Sequence, residues 1–167
     1  MVILITGASH TGKTTLAASL VKKYGYSCIS LDLLKMGLIR SKNTSLTPFD
    51  DSELTSYLWP IAREIIKTAI ENNQHLIIEG CYIPLDWDSD FKAEYLKEIK
   101  FYCLCMTERY IVSHFDDIKK YASVTEKRKE DSFTIEEALS ENAQYLSLAR
   151  KAGKEVILID ESYPTCL

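Results

Sequence analysis

Gly7-Ala8-Ser9-His10-Thr11-Gly12-Lys13-Thr14 is the stretch that determines the fold of this 167-residue sequence. It fits the pattern G-x-x-x-x-G-K-[ST] at every fixed position, and it stands between an apolar, strand-like run and a helix-like one, as that pattern requires. The glycines permit a tight turn with inward-pointing backbone N–H groups, and the following helix adds its positive end. The sequence therefore predicts a phosphate-binding loop.

Residues within this loop have distinct predicted roles. Lys13 would bridge the β and γ phosphates of a nucleotide, and the Thr14 hydroxyl would ligate Mg2+. His10 occupies a free position of the pattern, where the backbone does the binding, so its side chain is interpreted as incidental. The predicted nucleotide-binding set is Gly7, Ala8, Ser9, His10, Thr11, Gly12, Lys13, Thr14 and Thr15.

Composition excludes several classes of protein. With 20 Lys+Arg against 24 Asp+Glu, the formal charge is -4, which gives no basic field for a long polynucleotide. Five cysteines, an odd number without CxxC spacing, indicate neither a disulfide framework nor a zinc site.

The absence of a signal peptide and of an apolar run of about 20 residues predicts a cytoplasmic protein. The length favours a single domain over residues 1–167.

Apolar runs alternate with helical patterns along the chain, which predicts an α/β domain with a mostly parallel sheet. The predicted strands are Val2 to Thr6, Ser27 to Leu31, Gln74 to Glu79, Ile99 to Met106 and Glu155 to Ile159. The predicted helices are Lys13 to Lys23, Leu33 to Arg40, Asp50 to Asn72, Phe91 to Lys97 and Ile135 to Ala152. Pro60 is expected to kink or interrupt the third helix.

Two acidic residues follow predicted strands. Asp32 comes after the second strand and Glu79 ends the third, and the carboxyl ends of parallel strands face one ligand crevice. Asp32 could accept the proton of an attacking hydroxyl or orient the acceptor, whereas Glu79 could hold Mg2+ or share the role of base. Alternatively, Asp32 could cap the second helix.

A charge-dense segment, residues 108–132, interrupts the alternation and has the size of a functional insertion. Arg109 and Arg128 are its candidates for neutralising a transferring phosphoryl group. Acidic residues in the same segment offset its bases, so a solvated charged helix is the alternative interpretation.

In the order of its motifs, the chain resembles the small P-loop kinases of the nucleoside-monophosphate-kinase-like group, which includes adenylate kinases, shikimate kinases and related metabolite kinases. After the phosphate-binding loop come an acid behind the second strand, an acid and glycine at the third, an arginine opening the insertion, and a last apolar strand. The residues that carry the resemblance are Gly7 to Thr14, Leu31-Asp32, Leu76 to Gly80, Thr107-Glu108-Arg109 and Val156 to Asp160.

This resemblance implies a three-layer P-loop NTPase fold, with a five-stranded parallel sheet in the order 2-3-1-4-5, helices on both faces and a lid insertion at about residues 108–132. It implies ATP with Mg2+ as the donor. It also implies that Arg109 lies near adenine, that Arg128 contacts phosphates, and that residues 161–164 line the base pocket.

The sequence defines the phosphoryl acceptor less closely than the donor. Adenylate kinases carry an arginine after the third strand that grips the acceptor phosphate, and the segment Glu79 to Pro84 has none. Lys35 and Arg40 still offer positive charge to a phosphorylated or carboxylated acceptor. Tyr82, with Trp59 and Trp87, could instead line an aromatic pocket. The predicted substrate residues are therefore Asp32, Lys35, Arg40 and Tyr82.

The functional hypothesis is an ATP-dependent phosphotransferase that acts on a small hydroxyl- or phosphate-bearing acceptor, as a monomer or homodimer without a membrane partner. Its predicted catalytic residues are Lys13, Asp32, Glu79, Arg109 and Arg128, and its predicted metal ligands are Thr14 and Glu79. An ATP-binding or sensing module without turnover is the alternative. A GTPase switch is disfavoured, because no Asn-Lys-x-Asp segment is present.

Overall fold

The structure, a computed structural model, describes residues 1–125 and 133–164, and five strands alternate with six α-helices along this part of the chain. The strands are β1 (Val2–Gly7), β2 (Ser27–Ser30), β3 (Leu76–Glu79), β4 (Ile99–Met106) and β5 (Val156–Ile159). The helices are α1 (Lys13–Tyr24), α2 (Leu31–Arg40), α3 (Asp51–Glu71), α4 (Ala93–Leu96), α5 (Glu108–Thr125) and α6 (Ile135–Lys151). A 3-10 turn at Trp87–Asp90 precedes α4.

All five strands form one parallel sheet in the order β2-β3-β1-β4-β5, so the predicted order is confirmed. Ile5 near the end of β1 pairs with Glu79 at the end of β3. The loop that follows β1 therefore begins beside the last residue of β3.

Strand β1 is central because its side chains are apolar on both faces. Val2, Leu4 and Ile5 are fully buried, and Ile3 is only 4% exposed. Val2 and Leu4 pack in a cluster with residues of α3, whereas Ile3 and Ile5 pack in another cluster with α1. Helices therefore cover both faces of the sheet, which gives the three predicted layers.

Helix α3 buries a stripe at helical spacing against the sheet. Its buried residues are Leu54, Leu58, Trp59, Ala62, Ile66 and Ala69. Pro60 lies inside the helix without interrupting it, since α3 continues to Glu71. The burial of this stripe against β1 and β3 outweighs the hydrogen bond that proline cannot donate.

Other boundaries differ from the predicted ones. Helix α2 begins at Leu31, two residues earlier than expected, and the helix predicted over residues 91–97 is only the single turn of α4. The first part of the predicted lid is helix α5, which has a non-helical backbone at His114. Helix α6 begins with a capping box between Thr134 and Glu137. None of the helices in residues 1–125 and 133–164 is long and apolar enough to cross a membrane.

Candidate active site

The predicted phosphate-binding loop lies between β1 and α1, and its backbone requires glycine at both ends. Gly7 has φ +144°, and a Cβ atom there would lie 2.1 Å from the carbonyl oxygen of Leu104. Gly12 has φ +79°, and a Cβ atom there would lie 2.6 Å from the ring of Tyr163. These contacts explain why the chain needs glycine at both positions.

Lys13 opens helix α1 and folds back over the loop. Its Nζ donates to the carbonyl oxygens of Gly7 at 3.2 Å and Ala8 at 2.7 Å, and the residue is 9% exposed. The first turn of α1 contains no acidic residue, so its positive end is not offset from within the helix. The loop therefore combines a helix N-terminus with a buried ammonium group.

Glu79 lies across from this loop at the end of β3. The Thr14 hydroxyl donates to its Oε2 at 3.2 Å, and the residue is 1% exposed. Its Oε1 is buried and has no hydrogen-bond partner within the part of the chain that the structure describes. Burial raises the pKa of the Glu79 carboxyl, while the Ser30 side chain and the charge of Lys13 oppose that rise.

The Thr14 and Glu79 oxygens fit a magnesium ion. Hydroxyl and carboxylate oxygens are hard ligands, and Mg2+ usually takes only one or two protein ligands beside phosphate and water. The orphaned Oε1 of Glu79 supplies a lone pair that such an ion would use. No group of three or more His, Cys, Asp or Glu side chains suited to a metal occurs in residues 1–125 and 133–164.

Asp32 lies in the first turn of α2, where it joins three other side chains. Lys35 Nζ donates to Asp32 Oδ1 at 2.8 Å and to the Tyr82 hydroxyl at 2.9 Å. The Tyr82 hydroxyl donates in turn to Asp51 Oδ1 at 3.1 Å. Asp32, Lys35, Asp51 and Tyr82 are called the Asp32 cluster below. Ser30, not Asp32, is the N-cap residue of α2.

Cys81 comes two residues after Glu79, and its backbone carbonyl accepts a hydrogen bond from the Tyr145 hydroxyl. Burial raises the pKa of its thiol, and the charge of Lys13 acts on that thiol from the loop. The charges of Asp32, Lys35 and Asp51 act on it from the cluster. The structure thus brings together Asp32, Lys35 and Tyr82, three residues that the sequence singled out. The pairing of both Ile5 and Ser30 with Glu79 puts them at the same sheet edge as the loop that contains Lys13.

Three other predicted residues are placed differently. Arg40 is at the opposite end of α2 from Asp32, exposed and about 12 Å away at 1.5 Å per helical residue, so it does not join the Asp32 cluster. Arg109 pairs with Asp160 at 2.6 Å and with Glu161 at 3.3 Å, beside the loop after β5. Arg128 lies outside the described residues.

Both tryptophans proposed for an aromatic pocket belong to the core. Trp59 and Trp87 are each 6% exposed, and both pack around Phe91. The Trp59 indole N–H donates to Asp90 at 2.6 Å. The aromatic pocket is therefore not formed by these residues, and only Tyr82 lies with the charged groups.

Four contacts of the site were not predicted from the sequence. Glu141 on α6 accepts 2.8 Å hydrogen bonds from both the backbone N–H and the hydroxyl of Ser9. The Tyr163 hydroxyl donates to the Gly12 carbonyl at 2.5 Å, and Tyr145 lies 3.5 Å from Thr6 and donates to the Cys81 carbonyl. Asp51, in the Asp32 cluster, looked like a helix-start residue. Each partner is distant in sequence, so no local pattern indicates these contacts.

Comparison with known proteins agrees with this fold. Residues 2–84 match a family model described as an AAA domain. A search of curated proteins gave no significant match. The family match covers the phosphate-binding loop, the Asp32 cluster and Glu79.

Among solved structures, a proposed kinase from Chloroflexus aurantiacus aligns with a TM-score of 0.61 at 16% identity, over 99% of this chain and 90% of that one. A sugar kinase from Janibacter sp. aligns with 0.54 at 17% identity, over 98% and 87%. A deoxyadenosine kinase from M. mycoides aligns with 0.54 at 14% identity, over 98% and 91%.

At these identities the likeness is one of fold. The chain therefore has a kinase-like P-loop NTPase fold. Its resemblance to the small P-loop kinases, predicted from the order of its motifs, is confirmed at that level.

Proposed function

We propose that this protein is a small-molecule kinase that transfers the γ-phosphoryl group of Mg-ATP to a hydroxyl group of a small acceptor. One observation carries the proposal. The phosphate-binding loop, Glu79 and the start of α2 with Asp32 follow three neighbouring strands at the same edge of the sheet, since Ile5 of β1 and Ser30 of β2 both pair with Glu79 of β3. The Thr14 hydroxyl contacts Glu79 across this edge, which is where a parallel sheet forms its ligand crevice. A donor cradle and an acceptor carboxylate at one sheet edge are the arrangement that in-line phosphoryl transfer needs.

The donor phosphates would lie in the loop formed by residues 7–15. Backbone N–H groups and the α1 N-terminus bind phosphate oxygens, and Lys13 exchanges its two carbonyl partners for the β and γ phosphates. Lys13 is already inside the loop, so only its terminal amine has to move.

Thr14 and Glu79 are the residues that would hold Mg2+. The ion, when bound, supplies positive charge that neutralises the phosphates. Within this assignment Glu79 orients the Thr14 hydroxyl through their hydrogen bond and is a metal ligand, not the base.

Asp32 is assigned as the general base. Its side chain is 25% exposed and reachable by an acceptor, whereas Glu79 is buried and bonded to Thr14. The ion pair with Lys35 holds the Asp32 carboxylate in one orientation. A carboxylate so positioned accepts the proton of the attacking hydroxyl as its oxygen bonds to phosphorus.

Arg109 and the loop after β5 are proposed to line the nucleotide base pocket. Arg109 is held by Asp160, and Tyr163 in that loop bonds to the Gly12 carbonyl. The loop is therefore fastened to the phosphate-binding loop. A phosphate contact by Arg128 stays a prediction from the resemblance.

The test is Mg2+-dependent ADP formation from ATP, measured against pools of sugars, nucleosides, nucleotides and other hydroxylated metabolites. Wild type, Lys13→Met and Lys22→Met are compared, because Lys22 lies exposed on the same helix. We expect one pool to stimulate wild type and Lys22→Met, with a loss of at least about 100-fold in Lys13→Met.

Two results would contradict the proposal. If Lys13→Met turned over as fast as wild type, Lys13 would not bind the transferred phosphate, and the proposed mechanism would be wrong. ATP binding without stimulation by any pool would favour the alternative, a nucleotide-binding module without turnover.

A further inference from the structure

The Asp32 cluster contains more negative than positive charge. Asp32 and Asp51 supply two carboxylates, and Lys35 supplies the single ammonium group. Burial raises the pKa of the Tyr82 phenol, so Tyr82 stays neutral. The cluster therefore carries a net charge of -1.

The ammonium group of Lys35 already donates hydrogen bonds to Asp32 and Tyr82. It is 12% exposed and lies 2.8 Å from Asp32, 2.9 Å from the Tyr82 hydroxyl and 5.0 Å from the centre of the Tyr82 ring. Arg40, the other cation predicted for the acceptor, lies at the far end of α2. An anionic acceptor group would have to break the Asp32–Lys35 pair and would leave two carboxylates facing it.

Hydroxyl groups match these side chains better. The two carboxylates accept hydrogen bonds, and each has lone pairs beyond those used by Lys35 and Tyr82. Lys35 has a third N–H to donate to a hydroxyl oxygen.

We propose that the acceptor is a neutral polyhydroxylated molecule, such as a sugar, polyol or nucleoside, and that Asp51 and Tyr82 determine this specificity through the Asp32–Lys35 pair. The inference rests on the proposed kinase function. One acceptor hydroxyl oxygen bonds to the γ-phosphorus, the bond from that phosphorus to the β-γ bridging oxygen breaks, and the hydroxyl proton passes to Asp32. The products are a phosphate monoester and ADP.

The experiment uses matched acceptor pairs with Mg-ATP and the full chain. Each pair holds a neutral molecule and its anionic form: hexoses with hexose 6-phosphates, glucose with gluconate, and nucleosides with nucleoside 5′-monophosphates. We expect one neutral member to give the highest kcat/KM, and its anionic partner to be at least about tenfold poorer, because like charge repels in a partly desolvated site.

The second arm of the experiment repeats these measurements with Asp51→Asn. Asparagine can still accept the Tyr82 hydrogen bond, but the cluster becomes neutral. We expect the KM of the neutral acceptor to rise and the discrimination against its anionic partner to fall about threefold or more. Glu53→Gln is the matched control, since Glu53 is exposed in the same first turn of α3, and it should change neither value.

The outcomes separate the two proposals. Preference for the anionic member of the productive pair, or unchanged discrimination in Asp51→Asn, would overturn the acceptor class and leave the kinase function intact. Failure of every acceptor to stimulate ADP formation would overturn the kinase function itself.

Discussion

The two sides of the crevice are built in different ways. The donor side uses backbone groups of eight consecutive residues, Gly7 to Thr14, fixed by fully buried β1 and by the close approach of Gly7 to Leu104. The acceptor side uses side chains from α2, α3 and the segment after β3, spread over residues 32 to 82. The first depends on the path of the backbone, the second on which side chains occupy a few positions.

This difference has a functional consequence. A backbone cradle binds any phosphate chain, because it contacts groups that all nucleotides share. A side-chain cluster changes with single substitutions, so acceptor choice can change while donor binding is kept. A substitution that blocks the backbone path of the donor side should therefore disturb the fold. A substitution on the acceptor side should change the use of the acceptor and leave the fold intact.

Gly7→Ala should give the largest effect. The added Cβ would lie 2.1 Å from the Leu104 carbonyl oxygen at φ +144°, so we expect a loss of about 3 kcal/mol or more in the free energy of unfolding. Urea unfolding measures it. Gly37→Ala is the control: its Cβ meets nothing within 4 Å in α2, so it should stabilise the protein by about 0.5–1 kcal/mol. An unchanged midpoint for Gly7→Ala would refute the comparison.

Asp32→Asn tests the acceptor side. We expect kcat to fall about 100-fold with little change in ATP affinity, because the base is lost while the donor loop is untouched. Steady-state kinetics and ATP titration measure the two quantities. If only the melting temperature falls, Asp32 is a helix-start residue whose interaction with the α2 dipole is worth about 0.3–1 kcal/mol.

Glu79→Gln tests the residue that lies between the donor side and the acceptor side of the crevice. Burial raises the folded-state pKa of Glu79 above its ordinary value near 4.5, so the folded state favours the protonated form. The stabilising contribution is present below the unfolded-state pKa and is lost as pH rises through the folded-state value. Above that window, Glu79→Gln should be more stable than wild type, by about 1 kcal/mol, without nucleotide.

Urea unfolding across a pH series measures this effect, with Glu94→Gln as an exposed control. Mg-ATP should then stabilise Glu79→Gln less than wild type, since a metal ligand is lost. Identical pH slopes for wild type and Glu79→Gln would show that burial of this carboxyl does not favour its protonated form.

Glu141→Gln should give the smallest effect. Glu141 engages two donors of Ser9 in the phosphate-binding loop and places a negative charge where phosphates would lie. Removing that charge should tighten ATP binding about threefold. Calorimetric titration measures it, with Glu136→Gln on the exposed side of α6 as control. Weaker ATP binding in Glu141→Gln would mean that Glu141 organises the loop for the nucleotide.

The sequence by itself determined the donor side and the fold. The pattern Gly7 to Thr14 and the apolar strands predicted the phosphate-binding loop and a parallel sheet, because local backbone geometry and periodic burial depend on neighbouring residues. The strand order came from the resemblance to small P-loop kinases, which the order of the motifs carried. The same reasoning predicted Glu79 and Asp32 at strand ends, since parallel strands share one functional edge.

Only the tertiary structure decided the partners of these residues. Asp51 joined Tyr82, Glu141 reached Ser9 and Trp59 turned into the core, while Arg40 lay apart from Asp32. These contacts join side chains up to 132 positions apart and depend on how helices dock on the sheet. Docking is determined by the packing of the whole core, and no local pattern in one chain records it.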